Sequence, residues 1–222
     1  MKIPILYEDN HLLIVEKPVN IPVQEDQSKD QDLLTLLKED IKIRYNKPGN
    51  VYLGLVHRLD RPVGGVMVFA KTSKAASRLS DQLRRKAIQR TYLTVVHGTM
   101  EKNSGRLEDF LVKDHRKNIV RTVHSNDKDG KKAVLDYENL GQKKGYSLLS
   151  VTLQTGRPHQ IRVQLSSRGY PIYGDQKYGQ QVNKPGQQIA LWSNHLTLEH
   201  PTKKEQMEFT SIPPDEFPWD LW

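Results

Sequence analysis

The 222-residue sequence contains no cysteine. Disulfides, thiol nucleophiles and cysteine-ligated zinc are therefore excluded, which fits a reducing, cytoplasmic location. Long apolar runs are missing as well. No stretch approaches the ~20 residues needed to span a bilayer, so neither a transmembrane helix nor a membrane partner is expected. The opening residues, Met1 to Asp9, turn acidic before the apolar core of a signal peptide could develop. There is no nucleotide-binding glycine loop and no cluster of metal-ligand side chains, so neither cofactor nor metal is expected. Acids are outnumbered, with 26 Asp and Glu against 34 Lys and Arg and a formal charge of +8.

Net charge alone leaves a polyanion-binding face and a solvated lysine-rich surface equally open. Its distribution favours the first. Between Lys71 and Arg90 lie seven basic residues (Lys71, Lys74, Arg78, Arg84, Arg85, Lys86, Arg90) against the single acid Asp81. Glu25 to Asp40 and the tail from Asp215 to Asp220 lean acidic instead.

What is present reads as many strands with few helices. Ile3 to Tyr7, a turn at Asp9-Asn10, and Leu12 to Val15 predict a β-hairpin ending at Lys17-Pro18. Leu33, Leu34, Leu36 and Leu37 predict a helix from about Asp30 to Arg44, broken by Pro48-Gly49. Val66 to Ala70 is an apolar run of strand length. Ser73 then reads as the N-cap of a helix whose Ala76, Leu79, Leu83 and Ala87 share one face, with Lys74, Arg78 and Arg85 opposite. Thr91–Val96, Ile119–Val123, Ala133–Tyr137, Leu148–Leu153, Gln188–Leu198 and Gln206–Phe209 carry strand character. The pattern predicts an antiparallel-rich α+β fold, and no repeat or linker divides the chain.

Four segments are richer in charge, glycine and turn residues than folding requires. In His57-Arg58-Leu59-Asp60-Arg61-Pro62 an acid stands between two arginines, whose charge favours its ionised form. Such a carboxylate serves as nucleophile or base, or simply as half of a structural ion pair. Gly156-Arg157-Pro158-His159-Gln160-Ile161-Arg162-Val163 starts at a sharp corner. Beyond it the spacing fits a helix with His159 and Arg162 on one side, but alternation of Ile161, Val163 and Leu165 fits a strand equally well. Arg90-Thr91-Tyr92 opens a strand, where a tyrosine is ordinarily packing. Trp192-Ser193-Asn194-His195 either packs the core or faces a base.

Taken in order, these segments resemble the RluA-type pseudouridine synthase family. The resemblance rests on the hairpin leading to Lys17-Pro18, the His57 to Arg61 block and the Arg90-Thr91-Tyr92 strand start. It continues through Gly156 to Val163, the Gly174-Asp175-Gln176-Lys177-Tyr178-Gly179 segment and a strand ending at His200-Pro201-Thr202. It covers nearly the whole chain. Departures fall at Val63-Gly64-Gly65, where the family often has Thr-Ser-Gly, at Asn20, often Gly, and at Trp192-Ser193-Asn194, usually His-Ala. These touch loop shape more than catalytic groups. The sequence also begins directly at the hairpin, so one catalytic domain spanning 1–222, without an N-terminal S4 domain, is the expectation.

The resemblance implies a pseudouridine synthase catalytic fold: an antiparallel-rich mixed β-sheet flanked by helices and loops, with a central RNA-binding cleft. It implies isomerisation of uridine to pseudouridine in ribosomal or transfer RNA, by a monomer. Asp60 is then the catalytic carboxylate, Arg162 its charge partner, and Tyr92 the uracil contact and proton acceptor. Arg58 would fill the space left by a flipped uridine. His57, Arg61, Arg157, His159 and Gln160 become substrate contacts, and Lys71 to Arg90 and Lys113 to Arg121 candidate phosphate contacts. Two rivals remain open here: an RNA-binding protein on the same scaffold without catalysis, and a nucleoside or glycoside hydrolase needing a second carboxylate.

Overall fold

A computed structural model describes residues 2–222. The fold is α+β, with three α-helices and eleven strands among the described residues. The chain divides into two compact units, one formed by residues up to Gln89 with Ser193–Ile212, the other by Arg90–Trp192 with Pro213–Trp222. Each unit is assembled from two separated stretches, which is why no linker composition marks the division.

In the first unit β1 (Ile5–Glu8) and β2 (Leu12–Lys17) form the expected hairpin. Asp9 makes its turn. One carboxylate oxygen accepts the main-chain N–H groups of His11 at 2.7 Å and Leu12 at 2.8 Å. The other takes the Tyr7 hydroxyl and, at 2.8 Å, Nε2 of the fully buried His200. His200 Nδ1 already accepts from Thr202 and Lys203, so Nε2 carries the ring proton. Burial alone would raise the Asp9 carboxyl, but these donors hold it at about 2. The hairpin and the His200-Pro201 turn are thereby tied together.

Strand β2 pairs antiparallel with β4 (Gly64–Ala70), Ile14 lying opposite Val68, and the short β3 (Gly54–Leu55) also pairs with β4. Burial on both faces explains why β2 and β4 read as continuous apolar runs. The α1 helix (Leu33–Arg44) is capped by Asp32, which accepts the Thr35 N–H at 3.1 Å, and buries Leu33, Leu37 and Ile41. The α2 helix (Ser73–Arg84) packs Ala75 and Leu79 onto Leu12, Ile14, Val66 and Val68. Leu196 and Leu198 of β10 (Leu191–Glu199) join that cluster. Each leucine, isoleucine or valine of the cluster contributes about 1.5–3 kcal/mol of burial energy.

The cap of α2 is Thr72 rather than Ser73, because Thr72 keeps an extended backbone and its hydroxyl accepts the Ala75 N–H. Lys86, at φ 60°, ends the helical path, so Ala87 lies outside it and is exposed. Strand β11 (Gln206–Thr210) pairs with β10. At Gly65, φ 112°, an added side-chain carbon would run into the Ser193 carbonyl. Glycine at 65, as in the family pattern, thus lets β4 approach Ser193, one of the departures, whose hydroxyl donates to the Val66 carbonyl at 2.9 Å.

The second unit holds antiparallel strands ordered β5-β9-β8-β6-β7: β5 (Gln89–His97), β6 (Ser104–Asp114), β7 (Ile119–Val123), β8 (Lys131–Lys143) and β9 (Tyr146–Leu153). Strand β8 is far longer than Ala133–Tyr137 alone suggested. Its polar half is carried by pairing with β9 across a bulge between Asn139 and Gly141. The segment after Gly156 is helical, α3 (Gln160–Ser166), and Val163 packs with Leu111, Val120 and Ala133.

Candidate active site

The Asp60 loop joins β3 to β4. Its turn closes through the Val63 N–H donating to the Asp60 carbonyl at 3.0 Å. Beneath it lies Lys17, at the end of β2 and fully buried. The Lys17 ammonium donates to three main-chain carbonyls: Pro18 at 2.9 Å, Arg61 at 2.9 Å and Val63 at 2.8 Å. Two of these closely follow Asp60 in sequence, so one cation holds the loop's shape through its backbone. Burial drags the Lys17 pKa down to about 7, with the Asp60 carboxylate opposing and Arg61 reinforcing that shift.

Around this loop the sequence-predicted residues divide. Arg58 is exposed and makes no hydrogen bond or ion pair with a described residue. Arg61 is built into the scaffold: it donates to the Asn20 carbonyl at 3.2 Å, the Ser28 hydroxyl at 3.0 Å and the Asp30 carboxylate. Asn20 holds a left-handed φ of 64°, which accounts for asparagine where glycine is frequent. His57 is buried, and its Nε2 accepts the Val68 N–H at 3.2 Å, completing a donor on β4.

In the second unit Tyr92 on β5 is buried, opposite Val151 of β9. Arg162 on α3 is buried, as are all helix residues from Gln160 to Leu165. Its Nε and Nη2 form a bidentate pair with Asp175, both bonds 2.8 Å. Burial would raise the Asp175 carboxyl, but Arg162, assisted by the Lys177 and Tyr178 N–H groups, holds it below the usual range. The Arg162 guanidinium also lies 5.2 Å from the centre of the Tyr178 ring.

His159 sits at φ 51° at the start of α3, its Nδ1 2.6 Å from the Tyr178 hydroxyl. That hydroxyl accepts the Val120 N–H at 2.8 Å. Gln160 is buried and shapes the corner: its amide oxygen accepts from Thr155 and the Arg157 N–H, and its nitrogen donates to Val134. Arg157 is exposed, with Nε on the Lys132 carbonyl at 2.9 Å.

The basic stretch is partly engaged within the protein. Lys71 pairs with Glu8, Arg84 and Arg85 with Asp81, and Arg78 donates to the Pro201 carbonyl. Sequence reasoning did not single out Lys17, Asp175 or Tyr178 as supports. The available signals were a lysine inside a buried run and an acid followed three residues later by tyrosine.

Comparison with known proteins bears on these residues as a set. Residues 11–167 match the family described as RNA pseudouridylate synthase. The chain is 37% identical over 214 residues to ribosomal large subunit pseudouridine synthase C of Buchnera aphidicola subsp. Schizaphis graminum, covering 93% of this chain and 66% of that protein. It is 33% identical over 235 residues to ribosomal large subunit pseudouridine synthase D of Pseudomonas aeruginosa, covering 100% and 71%. The chain thus spans about two thirds of the length of the curated relatives it matches. Among solved structures, human RNA pseudouridylate synthase domain containing 4 superposes with a TM-score of 0.82 at 22% identity, covering 98% of this chain and 91% of that one. That likeness bears on the fold.

Proposed function

The chain belongs to the RNA pseudouridylate synthase family, and we propose that it isomerises specific uridines of ribosomal or transfer RNA to pseudouridine with Asp60 as catalytic carboxylate. The observation that carries this reading is the Lys17 clamp. A buried ammonium that gathers the carbonyls of Pro18, Arg61 and Val63 gives the Asp60 loop one fixed shape. Preorganisation of that kind is what a reacting carboxylate requires.

The reaction breaks the bond between uracil and ribose, turns the base and joins the same two fragments through carbon. No water enters, so one carboxylate suffices where a hydrolase needs two. In this reading Asp60 is the reacting carboxylate, Tyr92 contacts the uracil and accepts a proton in the last step, and Arg162 supplies the stabilising cation. Asp175 is the positioning residue for Arg162. Arg58, exposed and paired with no described residue, suits insertion into the stack from which a uridine is flipped, a step costing a few kcal/mol. The named relatives act on the large ribosomal subunit, which favours ribosomal RNA as the substrate class.

Asp60→Ala tests the reading. Pseudouridine formation on ribosomal and transfer RNA isolated from cells lacking this gene should fall below detection, while RNA binding persists. Modification that continues in the variant sinks the mechanism. A wild-type protein that binds RNA but leaves every uridine intact favours the non-catalytic alternative, and release of uracil favours a hydrolase.

A further inference from the structure

Arg90 is the one arginine of this region whose position demands an explanation the fold does not supply. It opens β5 two residues before Tyr92, so the two side chains project from the same face of the strand. Its Nε is buried with no hydrogen-bond partner, and its guanidinium forms no ion pair with any described residue. Leaving a buried donor unmatched costs free energy, and a native structure tolerates it where something else compensates. Other arginines nearby show that partners were attainable: Arg162 reaches Asp175, and Arg106 reaches Asp136.

What faces Arg90 is Gly156, at the corner leading to α3. A side-chain carbon added there would lie 3.0 Å from Nη1 and 3.1 Å from Nη2 of Arg90. Gly156 does not occupy the left-handed region, so its backbone would accept other residues. A side chain at 156 would press the guanidinium aside by a few tenths of an ångström. Arg90 as a residue is partly exposed, its guanidinium lies against Gly156, and no carboxylate of a described residue pairs with it. A planar cation so held matches a phosphodiester, which accepts two parallel N–H bonds.

We propose that Arg90, seated against Gly156 on the same strand face as Tyr92, binds a backbone phosphate of the substrate RNA beside the target uridine. The contact is positional: it fixes the nucleotide's backbone and reads no base. The proposal rests on the reading of this chain as an RNA-acting enzyme. It deepens that reading by naming a phosphate contact outside the engaged cations of α2.

The test is a salt series. The full chain is titrated with a fluorescent single-stranded uridine oligomer at increasing potassium chloride, and the slope of log affinity against log salt is read. Arg90→Ala should bind about tenfold more weakly at low salt. It should also flatten the slope by about 0.7, the signature of one lost phosphate contact on a single strand. Arg90→Lys, which keeps a point charge, should keep the slope and recover part of the affinity. Gly156→Ala keeps every charge and should weaken binding by displacing the guanidinium.

Arg90→Ala and Gly156→Ala with wild-type affinity and slope overturn the proposal. So does a lowered melting temperature with an unchanged slope, which assigns Arg90 to the scaffold. A wild-type chain that does not bind the oligomer overturns it as well. Because the slope reads binding alone, wild-type protein that binds but forms no pseudouridine fails the enzymatic reading while this contact stands.

Discussion

The two units hold their candidate catalytic side chains by opposite means. In the first, a buried lysine grips main-chain carbonyls, and the loop bearing Asp60 is shaped from beneath. In the second, a buried carboxylate grips a side chain, and Arg162 is aimed directly. A loop has no ladder of its own, so a cation that satisfies three carbonyls supplies the rigidity a strand would have had. A helix already fixes its backbone, and what it leaves undetermined is the long, flexible arginine side chain. The same electrostatic currency thus orders main chain in one place and a rotamer in the other.

The largest expected effect comes from breaking the side-chain version. Asp175→Ala removes the bidentate partner of a buried arginine together with the acceptor for the Lys177 and Tyr178 N–H groups. Loss of one member of a buried pair costs about 4 kcal/mol. The urea midpoint should fall accordingly, and activity should fall further than stability at temperatures where the variant stays folded. Asp175→Asn keeps the shape and loses the charge. Full activity in that variant would show that Arg162 is positioned by packing alone.

Breaking the main-chain version should cost somewhat less, about 3 kcal/mol for Lys17→Met, because the stranded carbonyls can recruit water. This version also carries a pH dependence. Folded Lys17 releases its proton near pH 7, whereas the unfolded chain holds it to about 10.5. Between those values the unfolded state binds more protons, so stability rises with pH. The contribution is complete above 10.5 and is lost as pH falls to 7. A neutral amine has only two hydrogens for the three carbonyls, so turnover should decline over the window in which stability rises. Denaturant melts of wild type and Lys17→Met across that window measure the first trend, and initial rates the second. A stability difference independent of pH would show that the clamp keeps its proton, which would make it the stronger of the two devices.

How much of this was legible in the sequence follows the range of the interactions. The β1–β2 hairpin, α1, β4, β7 and the approximate paths of β5, β9, β10 and β11 are written in local periodicity and turn residues. The cap falls at Thr72, one residue before the expected Ser73, because both adjacent hydroxyl residues can cap and only the backbone conformation chooses between them. Spacing does not decide the helical state of 160–166, since a short segment buried on nearly every side fits both periods. Asp60, Tyr92 and Arg162 stood out through the resemblance, not through their own surroundings. Their supports did not stand out. Lys17 acts on a carbonyl 46 residues away, and Arg61 on Asp30, 31 residues away, so only the folded chain shows that one basic residue is a clamp and another an anchor. For the same reason the charge run from Lys71 to Arg90 does not show by itself which of its cations Glu8 and Asp81 engage.

The smallest expected effect lies where the second unit extends its side-chain device outward. The Tyr178 hydroxyl accepts the Val120 N–H of β7 and lies 2.6 Å from His159 Nδ1. An oxygen already accepting from the backbone is best matched by donating its own proton to the imidazole, which would place the ring proton of His159 on Nε2. Nitrogen-15 shifts of the wild-type imidazole should report that tautomer. Tyr178→Phe should lower stability by about 1 kcal/mol, through the loss of one acceptor for Val120, and mix the two tautomers. The effect on activity should appear in KM more than in kcat if His159 meets RNA without touching the reacting atoms. A His159 protonated on Nδ1 in the wild type would reverse the direction of this hydrogen bond. Tyr178 would then be a passive acceptor, and the chain of contacts from β7 to α3 would be packing rather than orientation.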